Sequence, residues 1–148
     1  MDNFKIIGIS TVTTNENGKS IKDIEEIWGK FWNENITDQI PDKKNNDIYA
    51  VYTDYETDYT GKYTLIIGYS VTTFENIPDG FVGREISVGK NTKYVSKGKM
   101  HEAVLKTWTE IWENTDLKRA YRADVTVHGP KYYDGDLAEV ETYISIAE

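Results

Sequence analysis

Two helical segments of this chain carry the same aromatic signature, Trp28 and Trp32 in IEEIWGKFW and Trp108 and Trp112 in VLKTWTEIW, and these are all the tryptophan in 148 residues. Side chains four apart share a helix face, so each helix must lay an indole pair against something. After each helix come two β-rich runs in matching order, IYAVYTDY and YTLIIGYSV in the first half, then AYRADVTVH and AEVETYISI in the second. The pattern predicts a duplicated strand, helix, strand, strand unit, with pseudo-repeats over about 1–77 and 78–148. Each half alone would be marginal, so the halves are expected to fold together as a single domain over 1–148. Two equivalent halves meet at a pseudo-twofold seam, and seams between packed units favour pockets.

The local signals fill in an α+β fold with two helices on largely antiparallel sheet. FKIIGISTVTT reads as a strand, with Phe4, Ile6, Gly8 and Ser10 on one face and Ile7, Ile9 and Thr11 on the other. Ser20 is the expected N-cap, with Asp23 as its capping partner, for a helix from about Ile21 to Asn35. Its inward stripe would be Ile21, Ile24, Trp28, Phe31 and Trp32. Pro41 and DKKNND predict a loop, followed by a hairpin around ETDYTG. FVGREISVGKNTKYVSK predicts one strand with an irregular continuation, and Lys99 to Asn114 a second helix facing inward through Val104, Trp108, Ile111 and Trp112. The last two strands pair around GPKYYDGD.

Composition removes whole classes of function. With no cysteine there is no disulfide framework, thiolate metal site or cysteine nucleophile, as expected of a cytoplasmic protein. A net charge of −8 repels a phosphate backbone, so no direct nucleic-acid partner is expected. The opening MDNFKIIGIS has neither the charge order of a signal peptide nor the length of a membrane span. Asp54, Glu56 and Asp58 have a calcium-loop rhythm, but Tyr59 stands where such a loop needs glycine and Leu65 where it needs glutamate. His101 and His128 have no common spacing for a metal. No nucleophile elbow, Walker or dinucleotide motif is present, so no catalytic residue, metal or cofactor is assigned.

What remains points to binding. Along the last strand, alternation puts Glu141, Tyr143 and Ser145 on one face and Val140, Thr142, Ile144 and Ile146 on the other. The acid beside a tyrosine is either part of a solvated face or an anchor in an aromatic cleft, where rings add cation–π attraction of roughly 0.5–2 kcal/mol each. The indoles, likewise, are either core or a ligand platform.

The ordered set IYAVYTDYETDYTGKYTLIIGYSV, TWTEIW, LKRAYRAD and EVETYISI resembles the GyrI-like and AraC-type effector-binding domains, over almost the whole chain and most closely their stand-alone integron-cassette branch. The resemblance implies the duplicated fold and a central cleft for lipophilic, often cationic, small molecules, in a sensor that lacks its own DNA-reading segment. It implies a hydrophobic small-molecule ligand, with a protein partner such as gyrase or a regulator, or a hydrolase of electrophilic toxins, as alternatives. The family acid that follows two residues after an aspartate is absent: the chain reads Asp124, Val125, Thr126. The second acid, in a Glu-x-Tyr-Ile pattern, is kept as Glu141 with Tyr143. The expected cleft is therefore walled by Trp28, Tyr52, Tyr69, Trp112 and Tyr143, with Glu141 as charged anchor and Thr126 as a neutral hydrogen-bonding group.

Overall fold

The computed structural model describes residues 3–57, 60–99, 102–114, 116–129, 132 and 135–147. Its elements run β1 (Phe4–Thr14), α1 (Lys19–Asn33), α2 (Ile36–Gln39), β2 (Lys43–Thr53), β3 (Lys62–Val71), β4 (Val82–Ile86), β5 (Asn91–Lys97), α3 (Glu102–Glu113), β6 (Ala123–His128) and β7 (Glu139–Ser145). The strands form one sheet in the order β4-β1-β3-β2-β6-β7-β5, and each neighbouring pair is antiparallel. The duplication is legible in that order. In the first unit β1, α1, β2 and β3 give the row β1-β3-β2, in the second β5, α3, β6 and β7 give β5-β7-β6, and β2 pairs β6 at the seam.

Three local expectations are corrected. FVGREISVGKNTKYVSK is two strands at opposite edges of the sheet, not one. From Ile86 to Asn91 the backbone reaches at most about 17 Å, whereas six strand spacings in a flat sheet would span about 29 Å. The sheet must therefore curl, and Val88 on the joining strap is buried against its far face with Ile6, Val51, Ile66 and Val125. Arg122 holds the strap, donating from Nε to the Val88 carbonyl and from Nη2 to those of Lys90 and Ile146, each at 3.0 Å. The predicted loop DKKNND enters β2, whose pairing with β3 shifts register between Lys43 and Ile48. The N-cap of α1 is Gly18, whose φ of 71° lies where glycine is strain-free, and Ser20 sits inside the helix, buried beside Tyr63. Asp23 caps nothing; its carboxylate accepts from Lys19 and Thr13, both at 2.7 Å, tying α1 to β1.

Alternation sends the odd residues of β1 and β3 and the even residues of β2 toward the helices. Ile7, Ile9, Ile48, Ala50, Leu65, Ile67 and Tyr69 meet Ile27 and Phe31 of α1 there. Phe31 is 1% exposed, and burying such a side chain stabilises by about 1.5–3 kcal/mol. In the second half Trp108 and Ile111 of α3 pack on Ile144. Gly8 of β1 and Gly68 of β3 face each other across the ladder. A Cβ on either would run into the other strand's backbone.

Candidate functional site

Helix α1 lies over β1 and β3, and α3 over β5, so the seam strands β2 and β6 are left between them. The register explains why the gap stays open. One row across the sheet toward the helices reads Ile67, Ala50, Thr126, Thr142, Tyr94, with three small side chains in succession beneath the gap. The result is a cavity of about 740 Å³, within the range of small-molecule sites. Trp28 and Trp32 wall one side, Trp108 and Trp112 the other, and Tyr52, Thr126 and His128 line it from the seam.

Each inner indole crosses the seam. Trp28 of the first unit meets His128 edge-on at 5.1 Å, and Trp108 of the second meets Tyr52 edge-on, also at 5.1 Å. The outer indoles follow at 6.2 Å, Trp32 from Trp28 and Trp112 from Trp108. Because the inner pair is spent on the sheet, the outer pair is half-exposed and forms the mouth, with Ile21 and Leu105 beside it. That is where the helical stripes depart from expectation: Ile21 is 69% exposed, and Ile27 takes the buried position. Glu25 and Glu102 also line the cavity, and both are exposed.

Deeper in the wall lies an ion pair. Arg119, bridged through its backbone to Ile146, donates from Nη2 to Oδ2 of Asp124 at 2.7 Å, with the two side chains 5% and 0% exposed. The Tyr55 hydroxyl donates to the same oxygen at 2.5 Å, and Ser145 donates to Oδ1 from its backbone N at 2.9 Å and its hydroxyl at 3.2 Å. Burial opposes the charge on Arg119, and the adjacent carboxylate outweighs it, so the guanidinium is held more firmly protonated than usual. Burial, then the charge of Asp124, pushes the Tyr55 phenol well above its ordinary value. The Nε and Nη1 of Arg119 and the Nε1 of Trp108 have no acceptor among the described residues.

Of the residues read from sequence, Trp28, Tyr52, Trp112 and Thr126 come together in the cavity. Tyr69 does not: it is 4% exposed under α1, stacked on Phe31, with its hydroxyl 2.9 Å from that of Thr37. Glu141 and Tyr143 are on the wrong face. Tyr143 pairs across to Val125, whose side chain belongs to the far-face cluster, and Glu141 bonds Lys93 at 3.1 Å and accepts from Tyr143 at 2.7 Å. The alternation was right, but packing assigned its faces: α3 takes the apolar face through Ile144, and the acid face turns to solvent. Partial burial and Glu141 push the Tyr143 phenol up to about 12. Arg119, Tyr55 and Tyr63 line the cavity without having been singled out; Tyr63 shares the inward alternation of Leu65, Ile67 and Tyr69 on β3, whereas no periodicity marks Arg119 or Tyr55. Asp54, from the acidic hairpin run, pairs bidentately with Arg84 at 2.9 Å; Asp58 and His101 lie outside the described residues.

The architecture and the sequence identify the family together. The model for Cass2, the integron-associated effector binding protein, matches residues 1–146. The chain belongs to this family. The integron cassette protein VCH_CASS2, from the mobile metagenome of Vibrio cholerae, shares 26% identity and a TM-score of 0.78, over 99% of this chain and 92% of that one. SAV2435, solved bound to tetraphenylphosphonium, superposes with a TM-score of 0.82 at 14% identity, over 99% of this chain and 90% of its own. A Bacillus subtilis (strain 168) relative, the "Putative transcriptional regulator protein YobU", is 24% identical over 126 residues, 83% of this chain and 79% of YobU. Among the described residues no helix is long and apolar enough to cross a membrane.

Proposed function

We propose that this protein is a small-molecule sensor whose cavity takes a lipophilic, aromatic effector by non-covalent contact. One observation carries the reading: an open cavity of about 740 Å³ lies between two helices and is walled by all four tryptophans. A core would close over such rings, because each indole left beside empty space forfeits burial and dispersion contacts. Here the seam keeps Ala50, Thr126 and Thr142 small instead. The mouth of Ile21, Trp32, Leu105 and Trp112 suits a ligand that arrives by shedding water from apolar surface. Membership of an effector-binding family and the aromatic ligand of SAV2435 support the same ligand class. The name of YobU supports a link to transcription, in which the loaded state would be read by a separate protein partner.

The test is direct, since every tryptophan lines the cavity. A panel of aromatic compounds, neutral and cationic, is titrated while intrinsic fluorescence and melting temperature are followed. Saturable quenching is expected, and at 100 times its dissociation constant a ligand should stabilise the fold by about 2.7 kcal/mol. If nothing in a broad panel moves either signal at concentrations well above micromolar, the reading fails.

A further inference from the structure

We propose that Arg119 is a resident cation, which fills an aromatic box in the wall of the cavity, cancels the buried carboxylate of Asp124, and so reserves the cavity for uncharged lipophilic ligands. The inference rests on the cavity being a ligand site and adds the charge of what it accepts.

The box is made of three rings. The guanidinium carbon lies 4.5 Å from the centroid of Tyr121, 5.8 Å from Trp108 and 5.9 Å from Tyr55, all within cation–π range. Tyr55 and Trp108 line the cavity as well, so the box and the cavity share walls. Tyr121 has a φ of 55°, a left-handed conformation a bulky residue adopts only when its surroundings hold it there. With two of its nitrogens lacking acceptors, Arg119 has ring faces as its remaining partners, the environment a bound organic cation would find.

The carboxylate beside the box has nothing left to offer. Both oxygens of Asp124 are taken, one by Arg119 and Tyr55 and the other by Ser145. Asp124 itself does not line the cavity, and the carboxylates that do among the described residues, Glu25 and Glu102, are both exposed. An organic cation moving inward would therefore lose its water without gaining an unpaired acid, and would approach a fixed guanidinium. An uncharged molecule of the same shape meets neither cost.

The experiment uses two probes of one shape, (2-naphthyl)trimethylammonium and 2-tert-butylnaphthalene, each displacing the neutral dye N-phenyl-1-naphthylamine from the parent protein, Arg119→Ala and Arg119→Ala/Asp124→Asn. The parent should bind the uncharged probe at least about tenfold tighter, roughly 1.4 kcal/mol. In Arg119→Ala the box is empty and Asp124 lacks its cation, so the order should reverse. The cationic probe should also raise that variant's melting temperature more than the neutral one, a readout that holds even where the free variant is largely unfolded. Removing the acid in the double variant should abolish the gain. A parent that binds the cation as tightly as its isostere overturns the proposal, as does an Arg119→Ala protein that gains no affinity or stability from it. Failure of the dye and both probes to bind any form would instead remove the cavity reading beneath it.

Discussion

Asp124→Ala should be among the most destabilising single substitutions in this protein, and Arg119→Met should rescue it. Asp124 is 0% exposed and accepts four hydrogen bonds, from Arg119, Tyr55 and Ser145 twice. Truncation leaves a guanidinium that is 5% exposed without a counter-charge, and it orphans a phenol and a backbone N–H. Breaking a buried pair by removing one partner costs about 3–5 kcal/mol. For a chain of this size that corresponds to a drop in melting temperature of roughly 6–20 °C. Removing both charges is a different matter, because no unpaired charge then stays buried, and what remains is the smaller cost of the Tyr55 hydroxyl and Ser145 N–H left without their acceptor. The double variant should therefore lie well above the sum of the singles, with a coupling of about 2 kcal/mol or more. Urea unfolding followed by tryptophan fluorescence measures all four corners of the cycle, with m values checked for constancy. A single variant costing under about 1 kcal/mol, or two single costs that simply add, would show that the pair is not buried and coupled as described.

Three further outcomes follow from particular side chains. Glu141→Gln should leave ligand affinity unchanged and cost under about 1 kcal/mol, because its pair with Lys93 is nearly half exposed and on the far face; any selective loss of cationic ligands by displacement titration would return Glu141 to the site. Thr126→Glu places a carboxyl at a position 1% exposed beside the cavity, where burial raises its folded pKa above the unfolded value, so the variant should lose stability relative to the parent as pH rises from 4 to 7 and regain it with a cationic ligand, as melting temperatures across that range will report. Burial, then the adjacent charge of Asp124, raises the Tyr55 phenol well above its ordinary value in the folded protein; a raised folded pKa supplies stability below the unfolded value and loses it above, so melting temperature should fall more steeply once pH passes about 10, and Tyr55→Phe should flatten that fall, as melting curves followed by tryptophan fluorescence across that range will report.

Much of the architecture was determined by the sequence alone. Paired indoles four apart and two β-rich runs after each pair leave little choice but two amphipathic helices over a duplicated antiparallel sheet, since 3.6- and 2-residue periods report directly on which side of an element is apolar. The same periods found the two faces of β7 and the indoles that wall the cavity. What they could not supply was the side on which the cavity lies, because alternation separates two faces without saying which one a distant helix will cover. Only the packing of Trp108 and Ile111 on Ile144 decided that Thr126 looks into the cavity and Glu141 away from it. The split of β4 from β5 was likewise a matter of the whole sheet: a four-residue strap can join opposite edges only once the sheet has curled. Arg119 shows the limit most clearly. Its meaning comes from Asp124 and three rings that reach it from the β2–β3 hairpin, α3 and the approach to β6, and a long-range convergence of single side chains leaves no period in the sequence to read.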